Sequence, residues 1–316
     1  MDLLKMAEKN TPKKPKKYSF LFKFLSLLSV VRGYNIAIIV LAQYLAAIFI
    51  FSPEKSLKEI LFNLDLYFLV LATVCTIAAG YIINNFYDSK KDKINKPIKS
   101  KIDSIVGQKT KLNIYFLLNF VGVLFAFLVS WRAALFFSVY IFLIWLYSHK
   151  LKKYPLTGLF SASILAILPF FAIFIYYKNF SNIIFTHAAF LFFVLMIREL
   201  TKDLENIKGD LVQNYQTIPV KYGEYFTKLL IAILVIFTLD PIYFLWKYPE
   251  IGLMKYYFYF VGFVFVLFLY LLWKANSKKD YVILHNIIKL IIIIGVLSLI
   301  LIDTSVIIQR ILNARI

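Results

Sequence analysis

The stretch Gly80-Tyr-Ile-Ile-Asn-Asn-Phe-Tyr-Asp-Ser-Lys-Lys-Asp-Lys-Ile-Asn-Lys-Pro97 ends a long apolar run, residues 64–83, in a sudden concentration of oxygen-bearing side chains. Asn84, Asp88 and Asp92 are four residues apart. On a helix each such step turns about 40° past a full circle, so the three side chains share one face. Carboxylates at the mouth of a membrane helix are costly unless a partner neutralises them. A solvated helix end is one explanation. A hard cation is the other, since Mg²⁺ favours one or two carboxylates together with phosphate oxygens.

A second stretch has the same plan. Arg198-Glu-Leu-Thr-Lys-Asp-Leu-Glu-Asn-Ile-Lys-Gly-Asp210 also follows an apolar run, and Asp203, Asn206 and Asp210 fall at i, i+3 and i+7, again on one helical face. Two acid-bearing helix ends on one side of a membrane are less expected by chance than one.

Composition supports the membrane setting. The chain of 316 residues is 61% hydrophobic, with a mean hydropathy of +0.76, where a soluble chain would be nearer half apolar and more highly charged. The net charge of +19 sits in short loops between apolar runs, which suits topology anchoring rather than nucleic-acid binding. The 22 Tyr and 32 Phe suit interfacial belts and an aromatic-lined cavity, or plain lipid contact. The single cysteine, Cys75, rules out an internal disulfide and disfavours a thiolate metal site. His149, His187 and His285 have no metal-ligand spacing and read as structural or interfacial.

Nine spans are expected, at about residues 34–51, 64–84, 112–129, 133–147, 156–176, 184–197, 226–245, 251–273 and 286–308. Residues 1–33 read as a Lys-rich tail followed by a short interfacial helix, because residues 20–31 are too few to span. Residues 34–316 read as one transmembrane domain. Gly209 is a candidate helix stop, Pro169 a candidate kink, and Asp303 a structural acid near the far end of the last span. With the N-terminus inside, 26 of the 36 Lys and Arg fall in inside segments and 8 in outside ones. That bias puts the N-terminus and both acidic stretches on the cytoplasmic side of an integral, multi-pass protein. A bacterial inner membrane is the expected location.

The first stretch resembles the N-D-x-x-D-x-x-x-D signature of the UbiA superfamily of intramembrane prenyltransferases, and the second resembles that family's D-x-x-x-D signature. The resemblance extends to Arg32 with Asn35, Tyr147-Ser148 with Leu151-Lys152, and Thr217-Ile218-Pro219-Val220 with Gly223. It implies an all-α bundle around a central cavity, made of two four-helix groups plus a final helix. It implies Mg²⁺ held by Asn84, Asp88, Asp92, Asp203, Asn206 and Asp210. It assigns catalysis to Asp88, Asp92, Asp210 and Tyr147, and substrate binding to Arg32, Asn35, Lys99, Lys152, Arg198 and Lys202. By physics alone, Tyr147 and Lys152 fit a belt residue and a snorkelling anchor equally well.

Two positions depart from the family pattern. The Asp expected after Asn84 is Asn85, and the opening Asp of the second signature is Asn206. An amide can ligate through its carbonyl oxygen but brings no charge. The implied reaction is prenyl transfer from an allylic diphosphate, such as geranylgeranyl diphosphate, with the metal and nearby Lys or Arg neutralising the departing anion. The segment 202–210 looks most like the branch that prenylates geranylgeranylglyceryl phosphate; an aromatic quinone precursor is the next acceptor in line. No obligate protein partner is implied. The competing class, a membrane transporter, fits less well: the acids cluster on one side, and the span midplanes are nearly pure hydrocarbon.

Overall fold

The structure is a computed structural model that describes residues 19–52 and 55–303. The Lys-rich tail, Pro53 and Glu54, and the forecast end of the last span lie outside the described residues. Among the described residues there is no strand, and nine helices are long and apolar enough to cross a membrane.

Helix α1 (Phe20–Val31) is apolar nearly all round. Its Phe20, Leu21, Phe22 and Phe24 are exposed, while Ser26, Val30 and Val31 are buried. It stops at Arg32, whose left-handed backbone (φ 52°) forms the elbow into α2 (Gly33–Ala46). The first span continues as a π-turn over Ala47–Phe51. After the short α3 (Leu57–Leu61), Asn63 caps α4 (Leu64–Tyr87) by accepting the Leu66 N–H at 2.8 Å.

Helix α4 is the buried centre of its half: 67% of its apolar window is inside the protein, against 11% for α7 (Gln108–Val129). Between these two spans, α5 (Ser89–Asn95) and α6 (Pro97–Asp103) carry the first acidic stretch outward. Helix α8 (Trp131–His149) completes this group, packing on α4 and α7.

The second group is α9 (Pro155–Tyr177), α10 (Asn182–Val212), α11 (Ile218–Lys247) and α12 (Lys255–Lys274). The last helix, α13 (Lys278–Ser298), packs on α10, α12 and α2 and so closes the bundle. This is the arrangement of two fours plus one that the family resemblance implies.

Two details shape the interior. Pro169 lies inside α9 and cannot donate to the Leu165 carbonyl one turn earlier. The Tyr140 hydroxyl donates to that carbonyl instead, at 2.9 Å. Gln43 Nε2 bonds the Pro169 carbonyl at 2.9 Å and Thr73 Oγ1 at 3.0 Å, tying α2, α4 and α9 together.

Gly209 does not end its helix. Helix α10 runs through to Val212, 31 residues or about 46 Å, well beyond the roughly 30 Å of a hydrocarbon layer. Gly209 instead leaves room for Asn95: a Cβ there would come within 2.8 Å of Asn95 Oδ1 and closer still to its Nδ2. The true backbone break comes at Gly223 (φ 86°), inside what is otherwise one helix, α11.

Gly209→Ala is expected to lower stability by about 1–3 kcal/mol through this overpacking. Combining it with Asn95→Ala recovers most of the loss in thermal unfolding of the detergent-solubilised protein. Losses that simply add would show that the close approach is not the cause.

Candidate active site

One cavity of about 480 Å³ runs into the bundle, with a polar mouth and an apolar body. Its body is walled by such residues as Ile144, Leu165, Phe170, Phe190 and Ile292. Its mouth gathers side chains from six elements and their junctions, among them Asn84, Asp88, Asp92, Lys152 and Asp203. The volume is in the range of small-ligand sites.

The mouth is held together by cross-pairing. Lys152 donates to Asp88 Oδ1 at 2.7 Å and to Asn84 Oδ1 at 3.1 Å. Asn84 Nδ2 donates to Asp88 Oδ2 at 3.0 Å, and the Tyr215 hydroxyl to Asp88 Oδ1 at 3.2 Å. Lys91, from the first stretch, reaches across to form an ion pair with Asp210 of the second. Thr217 Oγ1 also donates to Asp210, at 3.3 Å. The loop bearing Tyr215 is anchored by Gln216 N–H on the Lys153 carbonyl at 2.8 Å. Asn95 Nδ2 bonds the Asn206 carbonyl at 3.2 Å, joining α5 to α10.

Charge states at the mouth follow from these contacts. Burial raises the Asp88 carboxyl, but Lys152 and Lys91 outweigh it and hold Asp88 below its usual range. Burial, reinforced by Asp88, pushes Asp92 up. Burial pushes the Lys96 ammonium down to about 8; Glu205 opposes this, while Arg32 and Lys202 push the same way. Burial and the Asp88 charge keep the Tyr215 phenol protonated, as a donor.

The structure brings most of the expected residues together. Arg32, Asn35, Asn84, Asp88, Asp92, Tyr147, Lys152, Arg198, Lys202, Asp203 and Asn206 all line the cavity. Arg32 lies 5.1 Å from the Tyr81 ring centroid, and Asn35 Nδ2 bonds the Tyr81 hydroxyl at 3.1 Å. Asp210 is fully buried behind the wall with Lys91.

Lys99 is not at the cavity. It pairs with Asp103 at 2.6 Å, in a buried network where Asp103 also accepts from Ser29 and Asn85. Lys111 donates to Asn85 Oδ1 at 2.9 Å. Asn85 therefore points into this network, and its departure from the family pattern removes no carboxylate from the cavity wall. The histidines have the structural contacts expected of them: His187 bonds the Ile183 carbonyl, His285 bonds Glu205, and His149 stacks on Trp145.

Lys91, Lys96, Glu199, Tyr215 and Lys289 reach the cavity without having been singled out in the sequence. Lys91 and Lys96 were hidden in a lysine-rich loop that reads as a topology anchor. Glu199 and Lys289 sit at span ends, and Tyr215 in a loop with no pattern of its own.

No group of three His, Cys, Asp or Glu among the described residues converges as a ready metal cluster. The donor set nonetheless suits a hard cation. Asp92 and Asp203, one from each stretch, both line the cavity, and neither side chain has a hydrogen bond or ion pair among the described residues. Asn84 and Asn206 add carbonyl oxygens, and no imidazole or thiolate lies at the mouth.

An all-helical intramembrane bundle with an apolar cavity, capped by carboxylates and lysines, defines a membrane enzyme for amphiphiles with anionic headgroups. The family model for UbiA prenyltransferases matches residues 40–290, and the chain belongs to that family. It is 28% identical over 263 residues to the digeranylgeranylglyceryl phosphate synthase of Methanobrevibacter smithii, covering 79% of this chain and 88% of the relative. With the synthase of the same name from Pyrococcus furiosus it shares 27% identity over 208 residues, 65% of this chain and 72% of that one. Among solved structures, one described for a digeranylgeranylglyceryl phosphate synthase superposes with a TM-score of 0.66 at 20% identity, covering 88% of this chain and 97% of that one. A UbiA homologue from Archaeoglobus fulgidus bound to GPP and Mg²⁺ gives 0.63 at 14%, covering 87% and 99%. At these identities the superpositions establish the fold.

Two outcomes are expected. Lys152→Met leaves the buried Asp88 carboxylate without its cation, which costs about 3–5 kcal/mol; adding Asp88→Asn restores most of that in the unfolding midpoint, whereas independent effects would not. Lys96, depressed to about 8, is charged below that pH and neutral above it. Pyrophosphate affinity therefore falls at least about threefold from about pH 7 to about pH 9, and Lys96→Met flattens that fall. In the same window the unfolded chain binds the extra proton, so stability rises with pH through this group. A pyrophosphate profile identical in wild type and Lys96→Met would remove Lys96 from the anion's surroundings.

Proposed function

We propose that this protein transfers a prenyl group from an allylic diphosphate, in particular geranylgeranyl diphosphate, to the hydroxyl of geranylgeranylglyceryl phosphate, releasing diphosphate. The observation that carries this is the pair of unpartnered carboxylates, Asp92 and Asp203, supplied by two different helices to one cavity mouth. The relatives named as digeranylgeranylglyceryl phosphate synthases support the choice of acceptor.

Asp92 and Asp203 would hold Mg²⁺, with the carbonyls of Asn84 and Asn206 as further oxygens, Asp88 beside them on the wall and Asp210 behind it. When bound, the metal supplies Lewis-acid neutralisation of the diphosphate. The chain's own cations act on the same charge. Lys152 and Lys91 already sit among the carboxylates, and they gain a stronger partner as negative charge builds on the departing diphosphate. The Tyr215 hydroxyl, a donor held protonated, adds to that set.

The prenyl tail lies in the apolar body, whose wall offers no unbonded donor at Tyr140 or Gln43 Nε2, since both are spent on α9 and its neighbours. This wall keeps water from the electron-poor C1 carbon until the acceptor oxygen arrives. Tyr147 lines the cavity near the same charges and orients that end of the tail.

The cytoplasmic placement of the mouth belongs to the same proposal, supported by the bias of basic residues, as does treating residues 34–316 as one domain. Helix α1, with its exposed aromatic face and Lys23, then lies along the membrane surface.

The direct test incubates the purified protein with geranylgeranyl diphosphate, Mg²⁺ and a panel of phosphoglycerol and aromatic acceptors, and identifies the product by mass. Asp92→Asn and Asp203→Asn are each expected to lower turnover by about a hundredfold or more while leaving membrane insertion and the unfolding midpoint intact. Full activity in both would sink the metal assignment, and product on an aromatic acceptor alone would replace the lipid acceptor.

A further inference from the structure

Three cations on the cavity wall are left over by the scheme above. Arg32, Arg198 and Lys289 line the cavity, and none of their side chains forms an ion pair or donates a hydrogen bond among the described residues. Arg198 Nε is fully buried with no acceptor among the described residues. Unpaired cations beside an apolar cavity are expensive, and an anionic ligand is the ordinary remedy.

They also form a neighbourhood of their own. The charges acting most strongly on Lys289 are those of Arg198, Glu205, Arg32 and Lys202. Those acting on Asp88 are Lys152, Lys91 and Lys202. Arg32 also acts on Asp92, so the two neighbourhoods adjoin, with Lys202 and Arg32 between them. The two glutamates beside this group are already engaged: Glu205 bonds His285 at 2.8 Å with one oxygen and faces Lys96 at 3.9 Å with the other, and Glu199 pairs with Lys202. This group comes from the α1–α2 elbow, α10 and α13, and α13 packs on both α2 and α10.

Helix α13 adds the second half of the recognition. Lys289, Ile292, Ile293, Val296 and Leu299 all face the cavity, a helical stripe with one cation at its head and about 15 Å of hydrocarbon behind it. That is the complement of an amphiphile with a phosphate head and an isoprenoid tail.

We propose that Lys289, Arg198 and Arg32 form a second anion subsite, adjoining the diphosphate site, which takes the phosphate of a prenylated glycerol phosphate acceptor while its tail lies along the α13 stripe. This rests on the function proposed above for its choice of acceptor, and on the unpaired cations for its position. The diphosphate belongs with the metal that Asp92 and Asp203 would hold; a phosphate without a metal belongs toward α13, where Glu205 and Glu199 are already engaged by His285 and Lys202.

The test measures binding to the full-length protein in nanodiscs, with three probes: geranylgeranylglyceryl phosphate without divalent metal, its dephosphorylated glycerol ether, and geranylgeranyl thiodiphosphate with Mg²⁺. Lys289→Met is expected to weaken the first about tenfold to a hundredfold and to leave the other two unchanged. Lys289→Arg restores the first to within about threefold. In turnover, the acceptor KM rises in Lys289→Met while the donor KM stays put. Equal weakening of all three probes would mark Lys289 as merely structural, and no weakening of any would remove the subsite. If the phosphate probe depends on Lys289 but the wild type forms no product, the subsite stands and the reaction falls. If product forms equally well in Lys289→Met at low acceptor concentration, the reaction stands and the subsite falls.

Discussion

A carboxylate drawn into the mouth of an apolar bundle has to find its counter-charge on another element, and this requirement sets the geometry of the whole cavity. Asp88 is neutralised by Lys152, which follows α8, and Asp210 by Lys91, which precedes it in the chain by more than a hundred residues. The second of these bonds crosses between the two helix groups. It draws α5 against α10, where Gly209 has no side chain to keep Asn95 away. Close approach of the two acidic stretches is thus enforced by electrostatics and permitted by one missing methyl group.

The pairing also sorts the acids into two kinds. Asp88 and Asp210 are already bonded, and they position the elements around them. Asp92 and Asp203 line the cavity wall without a partner among the described residues. Spacing along the helix could not make this distinction, because i to i+4 periodicity puts the side chains on one face without saying which will meet a lysine. The outcome depends on where Lys91 and Lys152 arrive, which is a property of the packed bundle.

Much of the fold was legible in advance, since hydrocarbon runs of the right length leave few alternatives to spanning helices. The ends were less so. Gly209 looked like a stop because glycine is common past a helix terminus; here tertiary packing required the small residue within the helix. The lysine-rich segment 90–111 was the hardest to parse, because a topology anchor and a ligand contact look identical in composition. Lys96 faces the cavity and Lys99, one turn on, faces a buried carboxylate instead. Asn85 looked like a lost metal ligand, and its place beside Asp103 and Lys111 shows that its side chain serves the packing of α1, α4 and α7. Lys289 carried no local signal, and only the closure of the bundle by α13 brings it to the cavity.

Helix α10 is a single rod that both crosses the apolar layer and carries Asp203 beyond it. Such a rod works as a lever. A membrane thinner or thicker than its hydrophobic length changes its tilt, and the displacement is largest at the protruding end. Asp92 sits on a separate short helix, but that helix is bonded to the protruding end through Lys91–Asp210 and Asn95–Asn206 and is carried with it. The two bonds therefore tie the gap between these carboxylates to the end of the rod itself, so that tilting carries both sides of the mouth together.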